Sequence, residues 1–336
     1  MKVFELKNAF GIDNLVLAER QQPLPGHGQI AVKVRAVSLN YRDLLVIKGL
    51  YNPKLPLPLI PFSDGAGDVI AAGDGVSRVK VGDRVAGIFM QTWLAGELTE
   101  AGARSALGAG TQGMLAECVV LNEDGAVHIP EHLSYEEAAT LPCAAVTAWH
   151  AVIESGVKPG ETVLVLGTGG VSLFALQFAR LAGARVIVTS GSEEKLEKAR
   201  QAGATDGINY KSAPDWDRQV RELTGGAGAD LVVEVGGAGT LPQSLKAVRT
   251  GGRISLIGVL TGSMGEVNTL PIIMKKIRVQ GILVGSREMF EAMNRAVSLH
   301  RLHPIVDRVF PFEEAREALY YMERGAHFGK ICIRAG

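Results

Sequence analysis

Apolar and polar positions follow two rhythms along this chain. From residue 1 to about residue 130 they alternate in short runs cut by glycine and proline, as in "QIAVKVRAVSLN", "GDVIAAG", "DRVAGIF" and "AECVVL". A period of two over such lengths predicts strands, so this part reads as mostly β. "QQPLPGHGQIAVKV" reads as a loop entering a strand, and "GDGVSRVKVGDRV" as two strands joined by a tight turn. After Leu133 the pattern changes to strand-then-helix units. These are Thr162–Gly167 then Val171–Ala182, Arg185–Thr189 then Glu193–Ala202, Gly207–Tyr210 then Pro214–Thr224, Asp230–Val235 then Leu241–Arg249, and finally Arg253–Val259. Such alternation predicts an α/β fold with a doubly wound parallel sheet, to which "IRVQGILVG" adds a sixth strand. Helices around Glu288–Leu299 and Phe312–Arg324 and a closing strand "GKICIRA" follow. Residues 90–112, rich in glycine and alanine and weakly periodic, are expected to form a lobe or lid.

Length and composition narrow the functional classes. The 336 residues suffice for two domains, and a 47% hydrophobic fraction with 21% charged residues describes a globular protein. Thirty-five basic residues balance thirty-five acidic ones without a basic cluster. That balance argues against nucleic acid or an anionic membrane as partner and for a small-molecule substrate. Glu5, Lys7 and Asp13 interrupt the N-terminal stretch where a signal peptide needs an apolar run, so the expected location is cytoplasmic. Cys118, Cys143 and Cys332 are odd in number and form no C-x-x-C, which predicts reduced, buried thiols and no structural zinc.

The stretch "TVLVLGTGGVSLFALQFAR", Thr162 to Arg180, runs from an apolar strand through Gly167, Gly169 and Gly170 into an apolar helix. Glycines there allow a sharp turn and close approach of a pyrophosphate, while the helix N-terminus supplies amide donors. Ser172 takes the third, packing position of the fingerprint. An NAD site usually presents an acid to the ribose about 20 residues on. Here the second strand ends in Thr189, Ser190, Gly191 and Ser192. Ser190 and Lys195 suit a 2′-phosphate, and Tyr210 can close over it, so NADP(H) is favoured over NAD(H). Glu193 or Glu194 keeps NAD open.

With "VRAVSLNYRDLLVIKGLY", "GVSRVKVGDRV", "LPCAAVTAWHAV" and "LGTGGVS" in order, the chain resembles the medium-chain dehydrogenase/reductase superfamily along essentially its whole length. Within it the sequence is similar to the zinc-free quinone oxidoreductases and enoyl reductases. The resemblance implies a GroES-like, mostly-β catalytic domain from residues 1–143 and 284–336, a Rossmann domain over 144–283, and a homodimer joined through Rossmann sheet edges. It places Thr147, Gly169, Gly170 and Val171 beside the pyrophosphate and nicotinamide, and Val235, Gly258, Ile282 and Leu283 on the cofactor's other face. Lys330 matches a basic residue near the pyrophosphate. The positions that carry catalytic zinc ligands in the zinc enzymes read Asn40, Ser63 and Cys143, with Asp64 adjacent. The cysteine lobe of those enzymes matches the cysteine-free insert. No zinc is therefore expected, and His300 and His303 are assigned to a surface loop.

Without a metal, carbonyl polarisation falls to hydrogen bonds, which suits hydride addition to quinones, enones and other activated alkenes. In the zinc-free branch a tyrosine after the "N-x-x-D" segment is a candidate proton donor, here Tyr51, and Asn40 would orient the nicotinamide, substrate or a water. Tyr41 replaces the proline common in that segment. Two alternatives stand beside this reading: an alcohol or aldehyde dehydrogenase assisted by a weakly held metal at Cys143, Ser63 and Asp64, and an NADPH-binding sensor or structural protein without turnover.

Overall fold

The computed structural model describes residues 1–335. It resolves into two compact units, one from Met1–Val146 together with the chain from Val284 onward, the other Thr147–Leu283.

In the first unit, strands β1 (Lys2–Leu6) and β2 (Leu15–Glu19) form an antiparallel pair. A larger mixed sheet contains β3 (Gln29–Ser38), β4 (Asp64–Ala72), β5 (Arg84–Gly87), β6 (Cys118–Asn122) and β7 (Ala126–His128). The long β3 carries a run of valine and alanine side chains buried on both faces, as a central strand should. Two of its neighbours are β4 and β6, and β4 leads on to β5 and β7. The core gathers Ile30, Val32, Val34, Leu115, Phe310 and Leu319 among others, each burial contributing about 1.5–3 kcal/mol.

Two expectations change here. The segment 73–83 forms turns rather than a strand of a hairpin, and β5 begins only at Arg84. Its glycines and charged residues leave little apolar surface to anchor a strand. The 90–112 insert is not a free lobe. Trp93, Ala106, Leu107 and Ala109 are buried, and the backbone N–H of Leu107 bonds Phe89 O at 3.0 Å.

The second unit holds six parallel strands, β8 (Thr162–Leu166), β9 (Arg185–Ser190), β10 (Asp206–Asn209), β11 (Ala229–Glu234), β12 (Val248–Leu256) and β13 (Arg278–Gly281). Their order, β10-β9-β8-β11-β12-β13, reverses direction of growth at β8, the doubly wound arrangement read from the sequence. The strand expected over 253–259 starts five residues earlier and ends at Leu256. The helix Gly170–Leu181 buries Leu173, Phe174, Leu176 and Phe178, and the Phe174 and Phe178 rings stack with centroids 6.0 Å apart, as i and i+4 residues on one helix face do.

The first unit is completed by β14 (Val306–Pro311) and β15 (Lys330–Arg334). Strand β15 lies antiparallel against β3, so the last strand of the chain flanks one of its first. No helix among the described residues is long and apolar enough to cross a membrane.

Candidate functional site

Three strand ends meet in the first unit. At the end of β3, Ser38 pairs with Cys332 of β15 on one side and with Asp64 of β4 on the other. The chain leaves β3 through Leu39 and Asn40, and Asn40 caps the helix Tyr41–Ile47. Its N–H donates to Asp43 Oδ2 at 2.8 Å in a capping box, which ties Asn40 to the first turn of the helix. Just before β4, Phe62 adopts a φ of 72°, a left-handed conformation unusual for a bulky residue. Ser63 and Asp64 follow it, both fully buried.

Lys330, the first residue of β15, is only 3% exposed. Its Nζ donates to Leu39 O and, at 2.6 Å, to Asn40 Oδ1. That bond fixes which way the amide faces: Asn40 Nδ2 is directed to Ser63 Oγ at 3.4 Å, and Ser63 Oγ donates to Asp64 Oδ1 at 2.7 Å. Asp64 Oδ2 accepts the Cys143 N–H at 3.1 Å. The result is a closed network of one ammonium, one carboxylate, an amide and a hydroxyl. Burial pushes the Asp64 carboxyl above its ordinary range against the opposing charge of Lys330 and the bonds from Asn40 and Ser63. Burial also raises the half-buried Cys143 thiol, with Asp64 adding to the effect, so this sulfur is held as a thiol rather than as a nucleophilic thiolate. Asp43 is lifted to about 6 by burial, opposed by Arg42.

Tyr51, the expected proton donor, lies beyond the same helix and is 48% exposed. The Arg42 guanidinium carbon stands 5.2 Å from its ring centroid. Asn40 and Tyr51 thus flank the helix Tyr41–Ile47, the first as its N-cap and the second beyond its C-terminal end.

In the second unit, β8 ends at Leu166 and Gly167 turns the chain with a φ of 74°. A Cβ on Gly169 would meet nothing within 4 Å, so the loop opens to space in front of the helix N-terminus. There the first-turn amides of Gly170 and Val171 lack partners within the helix and can receive a pyrophosphate. Ser172 donates from Oγ to Leu166 O at 2.7 Å, which locks helix to strand as the third fingerprint position requires.

At the end of β9, Ser190 is buried and its Oγ accepts the Ser192 N–H at 3.4 Å. Ser192 caps the next helix by accepting the Lys195 N–H. Glu193 accepts from Asn209 Nδ2 at 2.6 Å and Glu194 pairs with Lys198 on the exposed side of the helix. A Cβ on Gly191 would come within 2.8 Å of Tyr210 Oη and 2.9 Å of Lys211 Cε. Tyr210 and Lys211 therefore fold over the turn that follows β9. Lys211 was not singled out from the sequence, where it reads as an ordinary loop cation.

A second residue missed by motif reading is Glu234, fully buried at the end of β11. It accepts the N–H groups of Gly236 and Gly237 at 2.8 and 3.1 Å and the hydroxyls of Thr240 and Ser244. These bonds shape the loop after Val235. Gly258 meets that loop so closely that a Cβ would lie 2.0 Å from Val235 O, which is a packing reason for glycine there. Thr147 and Ile282 are buried and Leu283 is half exposed. His303 sits at the surface as expected, edge-on to His132 with its Nδ1 at 2.8 Å from Glu137 Oε1.

Comparison with known proteins gives two family matches: an alcohol dehydrogenase GroES-like domain over residues 26–131 and a zinc-binding dehydrogenase domain over 170–298. A zinc-type alcohol dehydrogenase-like protein of Schizosaccharomyces pombe is 45% identical over 96% of both chains. Quinone oxidoreductase-like protein 2 of Bos taurus is 28% identical, covering 98% of this chain and 90% of its own. Among solved structures, an NAD-dependent alcohol dehydrogenase superposes with a TM-score of 0.92 at 37% identity over the full length of both.

The zinc named in those matches does not fit the donors present. Of the positions in question only Cys143 offers a soft ligand; the others present the amide of Asn40, the hydroxyl of Ser63 and the carboxyl of Asp64, which are already bonded to one another and to Lys330 and the Cys143 N–H. Among the described residues no group of three or more His, Cys, Asp or Glu side chains is arranged to hold a metal. A nicotinamide nucleotide does fit the open turn at Gly167 to Val171.

Proposed function

The chain belongs to the medium-chain dehydrogenase/reductase superfamily, and from that premise we propose that it is a zinc-independent, NADP(H)-preferring reductase of quinones, enones or other activated alkenes. The observation that carries this reading is the Lys330 ammonium bonded to Asn40 beside Asp64, a cation supplied by the chain itself where a metal enzyme needs soft ligands.

Bound at the turn after β8, the nucleotide supplies two electrons as hydride. Gly169, Gly170 and Val171 would offer amides to its pyrophosphate, and Thr147, Val235, Gly258, Ile282 and Leu283 would hold the rest of the nucleotide. Asn40 would orient the substrate through its amide, whose direction is set by Lys330. Tyr51 gives its hydroxyl proton to the reduced substrate and, being half exposed, recovers one from water. An alkene or quinone needs little more, because the charge that develops on its distant oxygen is spread by conjugation.

The preference for NADP(H) rests on the end of β9. A relative is named as NAD-dependent, so the family leaves the choice open. Here the strand end carries hydroxyls instead of an acid, with Tyr210 and Lys211 around Gly191 and Lys195 in the first turn of the helix that follows. Calorimetric titration should give NADPH binding about tenfold tighter than NADH, and Lys195→Ala should weaken NADPH about tenfold while changing NADH by less than about twofold. Equal losses for both nucleotides would remove the phosphate role of Lys195. A folded protein that takes up neither nucleotide overturns the reading altogether.

The proposed assembly is a homodimer through the β13 edge. All four residues of β13 are exposed, and the helix Leu270–Met274 before it presents Leu270, Ile273 and Met274 outward.

A further inference from the structure

We infer that Arg42 is a positioning residue for Tyr51: its guanidinium, wedged between the Tyr51 and Phe89 rings and anchored on Leu107 O, fixes the place from which the Tyr51 hydroxyl delivers its proton. The inference rests on the reading of Tyr51 given under Proposed function and adds the means by which a loop tyrosine is held.

Tyr51 has little else to hold it. It follows the helix Tyr41–Ile47 in a segment without regular structure, tied to that helix by a backbone bond from its N–H to Leu45 O at 3.1 Å. With its ring half exposed, packing alone leaves the side chain free to sample other rotamers. A proton donor displaced by about 1 Å loses much of its effect.

Arg42 corrects this from the first turn of the same helix. Its side chain is 12% exposed, and its guanidinium carbon lies 5.2 Å from the Tyr51 ring centroid and 4.7 Å from that of Phe89. Nη1 donates to Leu107 O at 2.7 Å and lies 3.6 Å from Asp43 Oδ1. Nε and Nη2 are buried and make no hydrogen bond. The buried charge is therefore compensated by two aromatic faces, one carbonyl and a neighbouring carboxylate. Phe89 and Leu107 are themselves joined by a backbone bond, so the platform under Arg42 is a single unit. Only a planar cation can stack on both rings while donating in its own plane to Leu107, and a lysine cannot. The buried 90–112 segment thereby acquires a role: its Leu107 carbonyl anchors the cation that holds Tyr51.

The test is a double-mutant cycle on NADPH-dependent reduction of trans-2-hexenal, with NADPH affinity measured in parallel. Tyr51→Phe should lower kcat about 100-fold, as loss of a general acid does. Arg42→Met should lower kcat about tenfold with NADPH affinity unchanged. Combined with Tyr51→Phe it should slow the reaction no further, because the hydroxyl it places is already gone. Arg42→Lys, which keeps charge and length but not the flat face, should fall between wild type and Arg42→Met, and it carries the test should Arg42→Met not fold. An Arg42→Met effect of the same size in both backgrounds would assign Arg42 a structural role only and overturn the inference. So would a kcat for Arg42→Met or Arg42→Lys equal to wild type. Wild-type kcat in Tyr51→Phe would instead overturn the reading of Tyr51 itself, whatever Arg42 does.

Discussion

Asp43 is completely buried, and burial lifts its carboxyl from an ordinary 3.8 to about 6 although the Arg42 charge beside it and the Asn40 N–H pull the other way. A carboxyl whose pKa is raised in the folded protein binds its proton more tightly there than in the unfolded chain. Its contribution to stability is then fully present below about 3.8 and is lost as pH rises through about 6. Asp43→Asn removes the titration while keeping an oxygen that can accept the Asn40 N–H. Wild type should therefore lose thermal stability relative to Asp43→Asn between pH 5 and pH 7.5, read as the difference in Tm at the two pH values. A difference that stays constant over that range would show that Asp43 does not titrate there. At this scale Asn40 and Tyr51 were candidates through the family resemblance of the segment around Asn40, not through any local pattern. Lys330 was expected near the pyrophosphate, and the structure adds its bond to Asn40, a partner 290 positions earlier in the chain.

Among the elements, the loop after β11 shows how one buried acid shapes a segment. Glu234 collects two backbone N–H groups and two hydroxyls between Gly236 and Ser244. Removing it leaves those donors buried without an acceptor, at about 1–3 kcal/mol for each group that water cannot reach. Glu234→Ala should accordingly lower unfolding stability by about 2–4 kcal/mol in urea denaturation and weaken nucleotide binding with it. A loss below about 0.5 kcal/mol would mean that the loop finds its shape elsewhere. The strand-helix alternation itself was legible, because six apolar runs of strand length separated by amphipathic stretches have few other solutions. Strand limits at β12 and the turns at 73–83 were not, since pairing with a neighbour rather than local pattern decides where a strand starts.

For the whole molecule, the proposed dimer rests on the exposed β13 edge and on Leu270, Ile273 and Met274, each exposed in the helix before it. Val279, 37% exposed on that edge, is the position to test. Wild type should run as a dimer in multi-angle light scattering, and Val279→Asp should shift it to monomer by placing a charge in the paired edge. A wild-type monomer at micromolar concentration would remove the dimer from the account. The discontinuous first unit has a plain cause: β15 pairs with β3, so the chain must return to its first strands after completing the parallel sheet.

The order of residues by itself determined the doubly wound sheet, the glycine turn after β8 and the absence of an acid at the end of β9, because each depends on neighbours within one turn or one strand. Tertiary structure alone decided that Lys330 orients Asn40, that Arg42 stacks on Tyr51 with its anchor at Leu107, and that Tyr210 and Lys211 close over Gly191. Those contacts join positions brought together only when sheets and loops pack, and buried charges choose their partners from whatever the fold places within about 3 Å.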